Sequence, residues 1–273
     1  MSINLVAIDI DNTLLTSAPE RKLTPANITA IQHALDLGVK IVLCSARPLA
    51  GVKRYLDQAQ ISGDDQYVIV DNGALVQTAT GQTIATHLLD SQTVQELVRF
   101  SQTHQLHYNV IAEDSTMCTT NARLGAYTVQ LAAKYQAPLQ VFANQEDFAS
   151  LRFAKFGLTD DPELLDRFEP ELKQRFGSTH YVVRSRPFLL EVMHKDANKG
   201  TALESLAEKL ALQKDELLAI GDEQNDLPMF AAAGTGAAMG NAVPAVKEAA
   251  DYVTADNDHS GVAQALHKLI LDA

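Results

Sequence analysis

The 273-residue chain sets 22 Lys and Arg against 34 Asp and Glu, a formal charge of −12, and is 46% hydrophobic. That length and apolar content supply one large packed domain or two ordinary ones and exclude a disordered chain, while the acidic balance argues against nucleic acid or an anionic membrane as the main partner. Cys44 and Cys118 are too few for a disulfide framework and lack zinc-site spacing, and neither a leader sequence nor a membrane-length apolar run is present, so a soluble protein of the reducing cytoplasm is expected.

In chain order, Leu5-Val6-Ala7-Ile8 reads as a buried parallel strand. It stops at Asp9-Ile10-Asp11-Asn12-Thr13, two carboxylates two residues apart followed by a hydroxyl. Extended alternation aims Asp9 and Asp11 the same way, and ligands of open α/β sheets sit beyond the carboxyl ends of strands. Taken alone, the stretch reads equally well as a cation or nucleophile site and as a turn bonding its own backbone. Thr24-Pro25 then starts a helix closed by Gly38. Val39 to Leu43 is a second buried strand ending in Cys44-Ser45-Ala46-Arg47-Pro48. A helix runs to about Gln60, and a third strand, Tyr67 to Val70, ends in Asp71-Asn72-Gly73-Ala74. Strands alternating with helices predict a parallel sheet with right-handed crossovers.

The rhythm then changes. Leu75 to Thr86 reads as a hairpin turning at Thr80-Gly81, and Ser91 to about Gln105 as a helix. Two strand-like segments, 106–112 and 115–119, follow. Helices at about 122–135 and 161–176, with strands near 139–142, 153–158, 179–185 and 188–193, make a separate α+β block. The predicted division is a core of 1–84 plus 189–273 with an inserted domain at 85–188. The last third predicts a helix at 199–212 and a strand Leu217 to Ile220 ending in Gly221-Asp222-Glu223-Gln224-Asn225-Asp226. A helix Leu227 to Ala233, a strand Thr235 to Met239, a helix from Pro244, a strand Asp251 to Thr254 and a helix from Ser260 complete it. The expected class is α/β, a doubly wound, Rossmann-like parallel sheet with an inserted α+β domain.

Polar groups recur at or near strand ends: Asp9 with Asp11, Ser45, Lys199 at a helix start, and Asp222 with Asp226. Converging carboxylates without a cation repel, which calls for protonation or a divalent cation, and oxygen-only donors favour Mg²⁺ over zinc. A hydroxyl, a helix start and a lysine beside such a site complement a phosphoryl group.

In combination these residues resemble the haloacid dehalogenase-like (HAD) phosphatases, and among them the bacterial Cof-type hydrolases with a large α/β cap. Asp9-Ile10-Asp11-Asn12-Thr13-Leu14 looks like the first motif, Ser45-Ala46-Arg47-Pro48 the second, Asn198-Lys199-Gly200 the third and Gly221-Asp222-Glu223-Gln224-Asn225-Asp226 the fourth. Asn72-Gly73-Ala74 and Met239-Gly240-Asn241-Ala242 add two secondary signatures. Asn12 and Ala46 stand where the family commonly has Gly. Asn tolerates positive φ, whereas Ala46 fits only if its φ is negative.

The resemblance implies that Asp9 attacks phosphorus and that Asp11 protonates the leaving oxygen, then deprotonates the hydrolytic water. It implies Mg²⁺ held by Asp9, the Asp11 carbonyl and Asp222, with Asp226 acting directly or through water. Ser45, the backbone amide of Ala46, Asn225 and Lys199 would bind the phosphoryl group. The expected substrate is a small phosphate ester, of a sugar or a cofactor, under a mobile cap that sets specificity; no nucleic-acid or membrane partner is expected, and a monomer or weak homodimer is. Two other readings stand beside this one: a phosphomutase or phosphotransferase of the same fold, and a receiver-like phospho-accepting module. A binding protein that has lost catalysis ranks last, because every catalytic side chain is intact. His104 and His107 read as a surface pair, Cys44 as core, and Arg184 and Arg186 as a solvated strand face. Arg47 reads equally as a substrate contact and as a loop anchor.

Overall fold

The computed structural model describes residues 2–144, 146–148 and 150–272. β1 (Leu5–Asp9) is buried throughout and runs into one wide helical turn, Ile10–Leu14, where the Leu15 N–H donates to the Ile10 carbonyl at 3.0 Å. Asn12 takes the left-handed conformation there (φ 64°), which its short side chain tolerates, and Ala46 is not among the positive-φ residues. Residues 15–23 double back, Leu15 bridging Leu23.

α1 (Pro25–Asp36) starts on Thr24, whose hydroxyl accepts the Asn27 N–H. β2 (Lys40–Cys44), α2 (Leu49–Gln58) and β3 (Tyr67–Val70) continue the alternation. A left-handed turn over Asp71, Asn72 and Gly73 leads to β4 (Leu75–Thr78) and β5 (Thr83–Thr86).

The insertion follows as α3 (Ser91–Thr103), β6 (Tyr108–Ala112), β7 (Met117–Thr119), α4 (Ala126–Tyr135), β8 (Leu139–Val141), β9 (Phe153–Thr159), α5 (Pro162–Phe176), β10 (His180–Arg186) and β11 (Leu189–His194). α4 starts four residues later than the periodicity suggests, because Gly125 is extended and caps it. The chain closes with α6 (Lys199–Lys209), β12 (Leu217–Gly221), α7 (Leu227–Ala232), β13 (Thr235–Ala238), α8 (Pro244–Ala249), β14 (Tyr252–Val253) and α9 (Gly261–Leu266).

Two compact units result. One holds the chain through Ala46, Val52–Ala85 and the segment from Asn198 on; the other holds Arg47–Gly51 and Thr86–Ala197. The first contains an eight-stranded sheet, β14-β13-β12-β1-β2-β3-β4-β5, parallel from β14 to β3, with β4 antiparallel to β3. The second contains a six-stranded sheet, β10-β11-β9-β6-β7-β8, antiparallel except between β7 and β8. The division expected at 188/189 falls inside the β10–β11 hairpin. β11 pairs with both β10 and β9, so it completes the second sheet, and the βα rhythm resumes only at Asn198.

Alternation splits the second sheet's side chains. Tyr108, Val110, Phe156, Leu158, Leu190 and Val192 pack with Leu97 of α3 and Leu165 and Leu172 of α5. Ile111, Met117 and Leu189 pack instead with Leu131 and Tyr135 of α4.

Candidate active site

In the first unit, β1 lies between β12 and β2, with Ile8 beside Ile220 and Asp9 beside Cys44. Asp9, Ser45 and Asp222 therefore leave the same end of three adjacent parallel strands. One carboxylate oxygen each of Asp9, Asp222 and Asp226 lies within 4.8 Å of the others, and all three residues are buried. Asp226 folds back over the end of β12: its Oδ2 accepts the N–H of Asp222 (2.9 Å) and of Glu223 (3.1 Å). Gly221 makes this possible, since a Cβ there would stand 2.5 Å from that oxygen.

Lys199 enters from α6. Asn198 caps the helix by accepting the Gly200 and Thr201 N–H groups at 3.0 Å, which sets Lys199 as the first helical residue. A Cβ at Gly200 would meet the Pro228 carbonyl at 2.3 Å, so glycine lets α6 sit this close to α7. The fully buried Lys199 Nζ donates to Asp9 Oδ1 and, at 2.6 Å, to Asp226 Oδ1.

The electrostatics follow from one cation among three carboxylates. Burial pulls the Lys199 ammonium toward neutrality, but Asp226 and Asp9 outweigh it and hold the lysine charged. Burial raises the Asp9 carboxyl well above the usual range; Lys199 opposes the rise, while Asp226 and Asp222 add to it. Burial likewise lifts Asp222 to about 6, against the Thr13 hydroxyl, which donates to Asp222 Oδ1 at 2.7 Å.

Other predicted residues stand nearby without joining the carboxylate group. The Asp11 carboxylate is 29% exposed and accepts from Arg21 Nη1 at 2.6 Å. Ser45 is buried one residue beyond β2, its N–H donating to the Ile69 carbonyl and its carbonyl accepting the Asn72 N–H. Ala46 follows it. Asn225 Nδ2 donates to Asn72 Oδ1 at 3.1 Å. Thr13, Asn72 and Arg21 were not singled out from the sequence as site residues. A hydroxyl at a fixed interval from Asp9 and Asp11 was the one available signal for Thr13.

The remaining candidates disperse. His104 lies against Phe100 and Phe168, while His107 Nδ1 pairs with Asp160 at 2.9 Å, so the two histidines serve different partners. Cys44 is fully buried, and burial pushes its thiol well up. Arg184 does not lie on a solvated face: its side chain is 16% exposed and bonds Asp166 and Glu169 of α5 at 2.9 Å, because β10 runs beside that helix. Arg47 is buried in the short segment assigned to the second unit. Among the described residues no helix is long and apolar enough to cross a membrane.

The sequence pattern of the haloacid dehalogenase-like hydrolases matches residues 6–266. A Streptococcus pyogenes protein with a provisional phosphatase name, M6_Spy0533, is 36% identical over all of both chains. YcsE of Bacillus subtilis, named a 5-amino-6-(5-phospho-D-ribitylamino)uracil phosphatase, is 29% identical over 99% of this chain and 97% of its own. The crystal structure of a haloacid dehalogenase-like hydrolase from Bacteroides thetaiotaomicron superposes with a TM-score of 0.89 at 28% identity, covering 98% of this chain and 100% of that one. With the fold, the ordered polar strand ends and these relatives in agreement, the chain belongs to the haloacid dehalogenase-like hydrolases.

Proposed function

We propose that the protein is a Mg²⁺-dependent phosphatase of small phosphorylated metabolites, working through an aspartyl-phosphate on Asp9. The observation that carries this reading is the bond from the buried Lys199 to Asp9 Oδ1. It opposes the burial that disfavours the ionised carboxylate and leaves the second oxygen to attack phosphorus.

The donor set suits Mg²⁺. All three carboxylates are oxygen donors on buried residues, and both oxygens of Asp226 already accept hydrogen bonds, whereas Asp9 and Asp222 each keep one outside the bonds described above. Asp9, Asp222 and the Asp11 carbonyl are therefore the direct ligands in this reading, with Asp226 acting through water. Bound there, Mg²⁺ supplies charge neutralisation for the phosphoryl oxygens.

Asp9 attacks as the ester P–O bond breaks, and the departing oxygen takes a proton from Asp11, which carries one only once released from its ion pair with Arg21. Asp11, now ionised, removes a proton from water, whose oxygen attacks the acyl phosphate and releases phosphate while restoring Asp9. Lys199, the Ser45 hydroxyl, the Ala46 amide and Asn225 hold the phosphoryl oxygens, and Asn72 fixes the Asn225 amide. The small-metabolite class is supported by YcsE, a relative named for a phosphorylated ribityl compound. The test is a phosphate-ester panel assayed with Mg²⁺, with chelator, and with Asp9→Asn. Turnover should need the cation and vanish in the variant. Full activity in Asp9→Asn removes the nucleophile assignment.

A further inference from the structure

In the first unit, β3 ends in a turn whose backbone is left-handed three times running: φ is 51° at Asp71, 58° at Asn72 and 92° at Gly73. Asp and Asn visit this region more readily than most side chains, yet consecutive residues are held there only where the surroundings over-determine them, and such strain gathers at functional positions. The surroundings here are the elements that carry the candidate phosphoryl donors.

The turn meets three of those elements. Beside β2, the Asn72 N–H donates to the Ser45 carbonyl at 2.9 Å, and the Ser45 N–H donates to Ile69 of β3 at 2.8 Å. Against α6, a Cβ at Gly73 would collide with the Asn198 carbonyl oxygen and stand 3.1 Å from the Lys199 nitrogen, so the turn lies on the peptide that introduces Lys199. Beyond β12, Asn72 Oδ1 accepts the Asn225 amide at 3.1 Å. Ser45, Lys199 and Asn225 come from distant stretches of chain, and residues 71–73 touch the backbone or side chain of each.

The residue type at 72 suits this task. Asn225 is half-buried in a three-residue helical turn, where the backbone alone does not orient a side-chain amide. An asparagine amide has two N–H donors; with one engaged on Asn72, the amide plane is fixed and the other donor is left for a ligand. Glycine at 72 would keep the left-handed backbone and lose the acceptor. Aspartate would keep the acceptor and add negative charge beside a residue that is to bind phosphoryl oxygens. Asparagine combines the backbone tolerance with a neutral acceptor, and at 8% exposure it is held in place by its neighbours.

We propose that Asn72 is a positioning residue: its turn holds Ser45, Lys199 and Asn225 in the arrangement that receives a phosphoryl group, and its side-chain oxygen aligns the Asn225 amide. The inference rests on the phosphoryl-binding roles given to those three residues above. It is tested by calorimetric titration of the full chain with inorganic phosphate in Mg²⁺, for the parent, Asn72→Gly, Asn225→Ala and the double variant. Glycine retains the left-handed backbone and the N–H to Ser45, so Asn72→Gly removes the side-chain bond alone. It should weaken phosphate binding about tenfold, the effect of one aligned hydrogen bond. Asn225→Ala should weaken it at least as much, and adding Asn72→Gly to that variant should change nothing further, because no amide remains to be aligned. The Asn225 side-chain amide signal in NMR, assigned by its loss in Asn225→Ala, should shift in Asn72→Gly. A cooperative urea transition shows that each variant is folded. Parent-like phosphate affinity in Asn72→Gly overturns the proposal, as do losses that multiply in the double variant or a parent that binds no phosphate. A parent that binds phosphate with this coupling yet hydrolyses no ester of the panel removes the phosphatase reading and leaves the positioning role intact.

Discussion

Replacing Lys199 with Met keeps the apolar stem and removes the one cation bonded to the carboxylate group. Two carboxylates 4.8 Å apart, the separation limit observed here, repel by about 3 kcal/mol at an effective dielectric of 20. Breaking one side of a buried ion pair typically costs about 3–5 kcal/mol, so the two routes agree. The expected outcome at neutral pH, in chelator, is a loss of about 3–5 kcal/mol by urea unfolding at unchanged slope, a large part of the about 5–15 kcal/mol of an ordinary domain. The loss should shrink at acidic pH, where a carboxylate takes up a proton and relieves the repulsion. It should shrink also when Mg²⁺ is added, since the cation replaces the missing charge. A Lys199→Met protein within about 1 kcal/mol of the parent at neutral pH without metal would refute the charge-balance argument.

Three further outcomes follow from the same geometry. Because burial raises Asp222 from 3.8 to about 6 and raises Asp9 as well, the native state holds more protons than the unfolded chain across that interval; metal-free stability should fall as pH rises from about 4 to 6. Thermal midpoints in chelator measure this, with Asp222→Asn flattening the slope, and a midpoint rising across the window contradicts it. Gly221→Ala sets a methyl 2.5 Å from Asp226 Oδ2, so overpacking of about 1–3 kcal/mol and a clear drop in turnover are expected; turnover near the parent's would mean that Asp226 need not fold back over β12. Asp11→Asn should turn over slowly while retaining Mg²⁺ affinity by calorimetry, since the proposed ligand is the backbone carbonyl, and lost affinity would count against that ligand.

The strand–helix alternation was legible because buried parallel strands such as Leu5–Asp9 and Leu217–Gly221 are short apolar runs with polar ends. The site residues were legible for the same reason, since Asp9, Ser45 and Asp222 interrupt the apolar pattern where strands finish. What joins them was not. Thr13 reaches Asp222 across 209 positions and Asn72 reaches Asn225 across 153, and no local period encodes such pairs. Residues 15–23 lack periodicity, so the segment that carries Arg21 to Asp11 went unread. The 188/189 boundary failed because a hairpin strand reads alike in either sheet, and only its pairing with β9 assigns it. Arg184 looked solvated because its carboxylate partners sit on another element.

The pairing of Leu5 with Leu217 also orders events in time. At about 5–20 residues per second, a ribosome delivers β12 roughly 10–40 s after β1. Through that interval β1 has β2 on one edge and nothing on the other, leaving a strand apolar up to Asp9 with an open ladder. The second unit's sheet closes sooner, with Tyr108 meeting Leu158 after about fifty residues of chain. Asp9, the proposed nucleophile, is thus among the first residues synthesised, yet the buried group it forms with Asp222 and Asp226 is completed only when the final third emerges. Nascent chains stalled before Asp222 should carry a folded insertion and an unfinished, aggregation-prone catalytic sheet.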